Sequence, residues 1–133
     1  MAIILDADVI IRAERATFDL ERWTNSLPDE DFQLAAITVA ELWHGVERAT
    51  AKYRDEREQY VLKVLSSLQI LPYTEITAFA HARIWAELDA SGRMIGNHDL
   101  IVAATALEYG SAVATFNERH FSKVRGLKLI SPS

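Results

Sequence analysis

Residues 3–11 read Ile3-Ile4-Leu5-Asp6-Ala7-Asp8-Val9-Ile10-Ile11. Three consecutive apolar residues are too few for a helix face but fit a short strand buried on both sides, as in a parallel sheet. The two acids behind them then stand at the strand's C-terminal end, where open parallel sheets place their ligand crevice. Two buried strands of this kind need a helical crossover between them, so the rest of the chain can be laid out from this edge.

Working outward, Val9-Ile10-Ile11 begin a short helix for which Asp8 is a candidate N-cap. Phe18, Leu20, Trp23 and Leu27 follow on a second helical stretch that ends at Pro28 and Asp29-Glu30-Asp31. Residues Phe32 to Ile37 read as a strand, and Thr38-Val39-Ala40-Glu41 matches the capping-box pattern at the start of a helix with Val39, Leu42, Trp43 and Val46 facing inward. A charged run from Lys52 to Glu58 leads into Tyr60, Val61, Val64, Leu65 and Leu68, so these two helices are expected as a protruding hairpin serving either a core or a partner.

Gln69 to Leu71 form a brief strand stopped by Pro72. From Thr74 to Ala90 the residues Ile76, Ala80, Ile84 and Leu88 recur at helical spacing, with Phe79 and Trp85 widening the apolar face. Ser91-Gly92 ends that helix. Asn97 is the expected N-cap of the next, which places Asp99 in its first turn and Gly110 at its close. Ser111 to Thr115 and Leu127 to Ile130 complete the strands, with a turn or helix between them over Asn117 to Phe121. Alternating strands and helices predict an α/β protein: a three-layer α/β/α domain over residues 1–133 with a mostly parallel central sheet of four to five strands.

The composition narrows function by exclusion. With no cysteine among 133 residues, thiolate metal sites and cysteine nucleophiles are ruled out. A formal charge of −5 argues against nonspecific coating of nucleic acid. It leaves a cation-filled acidic cleft open. The first residues lack the basic-then-apolar pattern of a secretory signal and no apolar run approaches a membrane span, so the expectation is a cytoplasmic protein without membrane contact.

Asp6, Glu41 and Asp99 each fall at a strand end or helix start expected to face the same edge, with Asp8 beside them. Each also has a purely structural role on offer: strand-end hydrogen bonding for Asp6, capping for Asp8 and Glu41, and a first-turn acid stabilised by free amides for Asp99. Acids crowded at one edge repel and raise one another's pKa, a conflict that a divalent cation resolves. Oxygen-only donors suit Mg²⁺ or Mn²⁺ better than zinc, and such an ion activates water and offsets charge on phosphate oxygens. Thr115 and Asn117, behind the late strand, are candidates to hold a water or substrate oxygen, or equally to satisfy a turn. His44, His81, His98 and His120 show no metal-motif spacing; of these only His98, beside Asp99, is a candidate for a substrate contact. Arg12, Arg48, Arg83 and Arg93 are candidate phosphate contacts, Arg93 first because it enters the loop before Asp99.

These motifs, in this order and spacing, resemble the PIN-domain ribonucleases and, within them, the VapC-type toxins of toxin–antitoxin pairs. The resemblance rests on Leu5-Asp6-Ala7-Asp8-Val9, on Thr38-Val39-Ala40-Glu41-Leu42, on Gly96-Asn97-His98-Asp99-Leu100-Ile101-Val102-Ala103-Ala104, and on Thr115-Phe116-Asn117, and it covers nearly the whole chain. It implies a Mg²⁺- or Mn²⁺-dependent endoribonuclease acting on RNA, with Asp6, Glu41 and Asp99 as its acids, a homodimer, and inhibition by a cognate antitoxin reaching the acidic site. Asn117 stands where many relatives carry Asp, which puts a fully protein-ligated second metal in doubt.

Three rival readings share part of this pattern. Asp6-Ala7-Asp8-Val9 also resembles the nucleophile and acid pair of haloacid-dehalogenase-type phosphatases, and the early acids those of receiver domains. Both need a lysine placed at a strand end, and neither Lys52 nor Lys63 follows an evident one. A nuclease fold that has lost activity and serves as an interaction module would explain Trp23 and Trp43, but not the three acids.

Overall fold

A computed structural model describes residues 1–133. The elements run β1 (Ala2–Leu5), α1 (Ala7–Glu14), α2 (Leu20–Asn25), β2 (Asp31–Ala35), α3 (Ala36–Arg48), α4 (Ala51–Ser67), β3 (Gln69–Leu71), α5 (Glu75–Ser91), α6 (Asn97–Tyr109), β4 (Ala112–Ala114), α7 (Glu118–Phe121) and β5 (Leu129–Ile130). All pairings among the five strands are parallel and their order is β3-β2-β1-β4-β5, with β1 at the centre. The chain therefore builds outward from β1 to one edge and then crosses to the other side. The switch falls between β1 and β4, where Leu5 pairs with Ala114. Ligand crevices of open parallel sheets form outside the strand ends at such a point.

Alternation along β1 assigns the two faces. Ile3 and Leu5 point into a core with Leu34 of β2 and with Ile10, Trp23, Leu42, Val46, Val61 and Val64, drawn from α1 to α4. Ile4 points the other way, with Leu71, Ile84, Leu88, Leu100, Val113 and Phe121, under α5, α6 and α7. Both faces of the sheet are thus covered, which is why its strands read as unbroken apolar runs. Helix α6 is buried on nearly every side, and its small residues Ala103, Ala104 and Ala106 allow close approach to the small-residue strand β4.

Several local expectations are corrected. The cap of α1 is Asp6, whose Oδ1 accepts from the Ala7 amide at 2.8 Å; Asp8 lies inside the first turn instead. β2 ends at Ala35, and α3 starts at Ala36, so Thr38 is inside the helix and there is no capping box with Glu41. The hydroxyl of Thr38 is buried without a partner. Gly96, not Asn97, occupies the N-cap of α6. A residue in extended conformation is enough to start a helix directly off a strand or tight loop, so motif spacing misplaced these boundaries by a few residues.

The α3–α4 pair does not protrude: Val46, Val61 and Val64 are part of the core. In α5 the buried side is Thr77, Ile84 and Leu88, because Thr77 is drawn inward by a 2.6 Å hydrogen bond to Glu108 on α6. Ile76, Phe79 and Trp85 are consequently 65%, 69% and 51% exposed rather than packed.

Candidate active site

Adjacent strand ends create the floor of the crevice. The Asp6 amide donates to the Ala114 carbonyl at 2.9 Å, extending the β1–β4 ladder by one bond and fixing Asp6 opposite Thr115. The Thr115 hydroxyl donates to Asp6 Oδ2 at 2.8 Å and accepts from the Asn117 amide at 2.9 Å. Asp8 leans over the same strand end: its Oδ2 accepts from the Phe116 amide at 3.1 Å. One carboxylate pair and one threonine thus tie residues more than a hundred positions apart in the chain.

Glu41 and Asp99 arrive on helices whose N-termini open on this edge. Both α3 and α6 begin without a side-chain cap, leaving first-turn amides free and the helix ends electropositive beside the acids. Glu41 Oε2 lies 3.8 Å from His98 Nδ1, and Asp99 Oδ2 lies 3.2 Å from His120 Nδ1. His120 in turn is 2.9 Å from the Asn117 side-chain nitrogen. Both His98 and His120 thus stand beside the acids, although the sequence singles out only His98. The sequence carried one signal for His120: residue 120 lies one turn beyond Asn117 on a short helix, so the two share a face.

The electrostatics are those of negative charge held away from water. Asp6 is 6% exposed, and burial, with the charges of Asp8 and Asp99 in support, pushes its pKa up to about 7 against the help of Thr115. Burial also raises Asp8, countered by the Phe116 amide and the Arg12 guanidinium. It raises Glu41 too, with His98 opposing and Asp99 and Asp8 adding to the effect. Asp8 and Asp99 therefore act on both Asp6 and Glu41. Asp8 Oδ1 and Glu41 Oε1 are buried with no hydrogen-bond partner, an arrangement that costs stability unless something positive meets them.

An oxygen-only set with two unpaired carboxylate oxygens fits a hard divalent cation such as Mg²⁺ or Mn²⁺. No three acidic or histidine side chains converge into a ready-made ligand shell. A cation held here would accordingly keep much of its water, which is the habit of Mg²⁺.

Around the crevice, Arg12 stacks 4.2 Å from the centre of the Phe116 ring, holding a guanidinium at the rim near Asp8. Arg48 borders a groove of about 400 Å³ between α1, α3 and α4 that reaches Glu41 but neither Asp6 nor Asp99. Arg93 is exposed and Arg83 pairs with Glu87 on the surface of α5. Lys52 and Lys63 both lie on α4, so neither supplies the strand-end lysine that the phosphatase reading needs. No helix is long and apolar enough to cross a membrane.

Comparison with known proteins agrees with this architecture. A family model described as "PIN domain" matches residues 3–127. The chain is 33% identical over 137 residues to the VapC ribonuclease Y4jK of Sinorhizobium fredii, covering 98% of this chain and 96% of that one. It is 28% identical over 134 residues to ribonuclease VapC1 of Rickettsia felis, covering 100% and 98%. Among solved structures, DNA-bound VapBC from Salmonella typhimurium contains a chain that superposes with a TM-score of 0.89 at 26% identity, over 98% of both chains. With its five-stranded parallel sheet, its acids at the β1–β4 switch point and a match over nearly its full length, this chain belongs to the PIN-domain family, in the branch of the VapC ribonucleases.

Proposed function

We propose that this chain, acting as one domain, is a metal-dependent endoribonuclease and the toxin of a toxin–antitoxin pair. The observation that carries the reading is that Asp8 and Asp99 act on both Asp6 and Glu41 at the β1–β4 edge, with two carboxylate oxygens left unpaired. The relatives' names, ribonuclease VapC1 and VapC ribonuclease Y4jK, support RNA as the substrate. Asp6 and Asp99 are the residues to hold Mg²⁺ or Mn²⁺, with Glu41 and Asp8 contributing directly or through water. When bound, such an ion lowers the pKa of water and offsets negative charge on the phosphate.

The chain's own residues do the rest. Thr115 holds Asp6 in one orientation through the 2.8 Å hydrogen bond. Glu41, half-buried and with Oε1 unpaired, is placed to take the proton of the attacking water. The water oxygen forms the new bond to phosphorus and one bridging P–O bond breaks; the departing oxygen takes a proton from solvent, and Glu41 returns the proton that it accepted to solvent. Asn117 is placed to orient a water or a phosphate oxygen. The uncapped starts of α3 and α6 offer amides to phosphate oxygens, and Arg12 stands ready at the rim.

Two partners follow from surfaces that the chain leaves open. The groove ending at Glu41 has an apolar floor of Ile10, Ile11, Leu42 and Val61, with Arg15, Arg48 and Arg57 among its borders. It suits an amphipathic segment of a cognate antitoxin that carries a basic side chain to Glu41, in keeping with the net charge of −5. The solved relative named VapBC supports such a partner. Ile76, Phe79 and Trp85 around the outer half of α5 are suited to a homodimer contact.

The test is a divalent-ion titration against transfer, ribosomal and messenger RNA. Cleavage that needs Mg²⁺ or Mn²⁺ and disappears in both Asp6→Asn and Asp99→Asn, with both variants folded, is the expected result. Binding without turnover across all ions and RNAs would replace the nuclease with an interaction module.

A further inference from the structure

His120, like His98, is a side chain at the crevice that the proposed chemistry leaves without a task. It projects from a four-residue helix, α7, with nearly half its surface open, so packing does not explain its orientation. What fixes it is polar. Its Nδ1 lies 3.2 Å from Asp99 Oδ2 and 2.9 Å from the side-chain nitrogen of Asn117.

One ring nitrogen has either a hydrogen or a lone pair to offer. If Nδ1 used a lone pair to accept from the Asn117 amide, it would set that lone pair against the Asp99 carboxylate. If Nδ1 carries the hydrogen, it donates to Asp99 Oδ2, and Asn117 satisfies the same hydrogen by turning its Oδ1, not its nitrogen, to the ring. The oxygen and nitrogen of an asparagine amide match in size and shape, and the neighbouring groups decide which of them faces the ring. The second arrangement gives all three groups a partner. It also leaves the Asn117 NH₂ free.

We infer that His120 is a positioning residue: its Nδ1–H pins Asp99 Oδ2 so that Oδ1 is presented to the divalent cation, and it holds Asn117 with its amide donor turned outward. The inference rests on the metal-dependent reading above. Hydrogen-bonded partners of ligating carboxylates typically change metal affinity by about 10- to 100-fold when removed.

Asparagine places an amide N–H close to where histidine has Nδ1, and glutamine places it further out, where histidine has Nε2. The experiment measures Mn²⁺ binding alone, without RNA, by electron paramagnetic resonance on wild type, His120→Ala, His120→Asn and His120→Gln, with circular dichroism confirming the fold of each. Wild type binds Mn²⁺, His120→Ala binds on the order of 10-fold more weakly, His120→Asn recovers most of the loss and His120→Gln does not. Unchanged affinity in His120→Ala overturns the inference, as does a His120→Asn no better than His120→Gln, a comparison that stands even if the alanine variant fails to fold. Absence of Mn²⁺ binding by the wild type overturns the metal-dependent reading and this inference with it.

Discussion

The crevice at the β1–β4 switch point and the outer half of α5 depart from the ordinary surface in opposite ways. In the crevice, carboxylates are withdrawn from water: Asp6 is 6% exposed, and Asp8 and Glu41 each have an oxygen with no partner. On α5, the apolar groups are pushed into it, with Phe79 69% exposed. Burying charge costs free energy, and so does wetting a large ring. Under the function proposed above the two sites share a logic: each is an unfinished surface whose cost a counterpart would offset, a cation in one case and a second protein surface in the other. The pH and salt dependence should separate them, because one is electrostatic and the other is not.

The largest effect expected belongs to the crevice. Asp6→Asn and Asp99→Asn should each lower RNA cleavage by on the order of 100- to 1,000-fold, the scale seen when one preorganised electrostatic group is lost. Steady-state cleavage with saturating Mg²⁺ measures it. Loss in only one variant would show that the two acids do not act as a pair.

Next in size is a stability effect of unusual sign in the metal-free chain. The Asp6 carboxyl keeps its proton up to about 7 in the folded chain, against 3.8 ordinarily, so across that window the native state holds a proton that the unfolded chain has released. Stability is therefore fully present below the lower value and falls as pH rises towards the upper one, by up to about 1.4 kcal/mol per pH unit for one proton. Asp8 and Glu41, also raised, act in the same direction. Urea melts in EDTA from pH 4 to 8 should show this decline; Mg²⁺ should flatten it, and Asp6→Asn should be more stable than wild type at pH 8. A flat profile in EDTA would mean that the acids are not strained.

Removing the hydroxyl that supports Asp6 comes third. Thr115→Val keeps the shape of a fully buried side chain but leaves Asp6 Oδ2 without its donor, and should cost about 1–3 kcal/mol in urea denaturation. The smallest stability effect is expected on α5. Phe79→Glu should change stability by less than about 0.5 kcal/mol while dispersing a dimer in analytical ultracentrifugation. A dimer that survives it would place the contact elsewhere.

Much of this was legible from residue order because buried parallel strands leave a strong signal. Ile3-Ile4-Leu5 and Ala112-Val113-Ala114 are apolar on both faces, and crossover rules then bring Asp6 and Thr115 to one edge. Asp99 was legible because an acid at the head of a nearly all-apolar helix has few places to go. Helix starts were less so. Thr38 and Glu41 fit a capping pattern, yet the chain turns into α3 at Ala36 with no side-chain cap at all. The exposure of Ile76, Phe79 and Trp85 was hidden because periodicity identifies an apolar face but not which side tertiary contacts select, and the Thr77–Glu108 hydrogen bond made that choice. His120 escaped because its role depends on a distance to Asp99, 21 residues away, that no local spacing encodes.

The most direct measurement is anomalous scattering from a crystal of this chain soaked in Mn²⁺. The account predicts one ion at the C-terminal ends of β1 and β4, bonded to Asp6 and Asp99 or to waters that they hold, with Glu41 facing it. An ion bound only elsewhere, together with RNA cleavage that persists in EDTA, would contradict it.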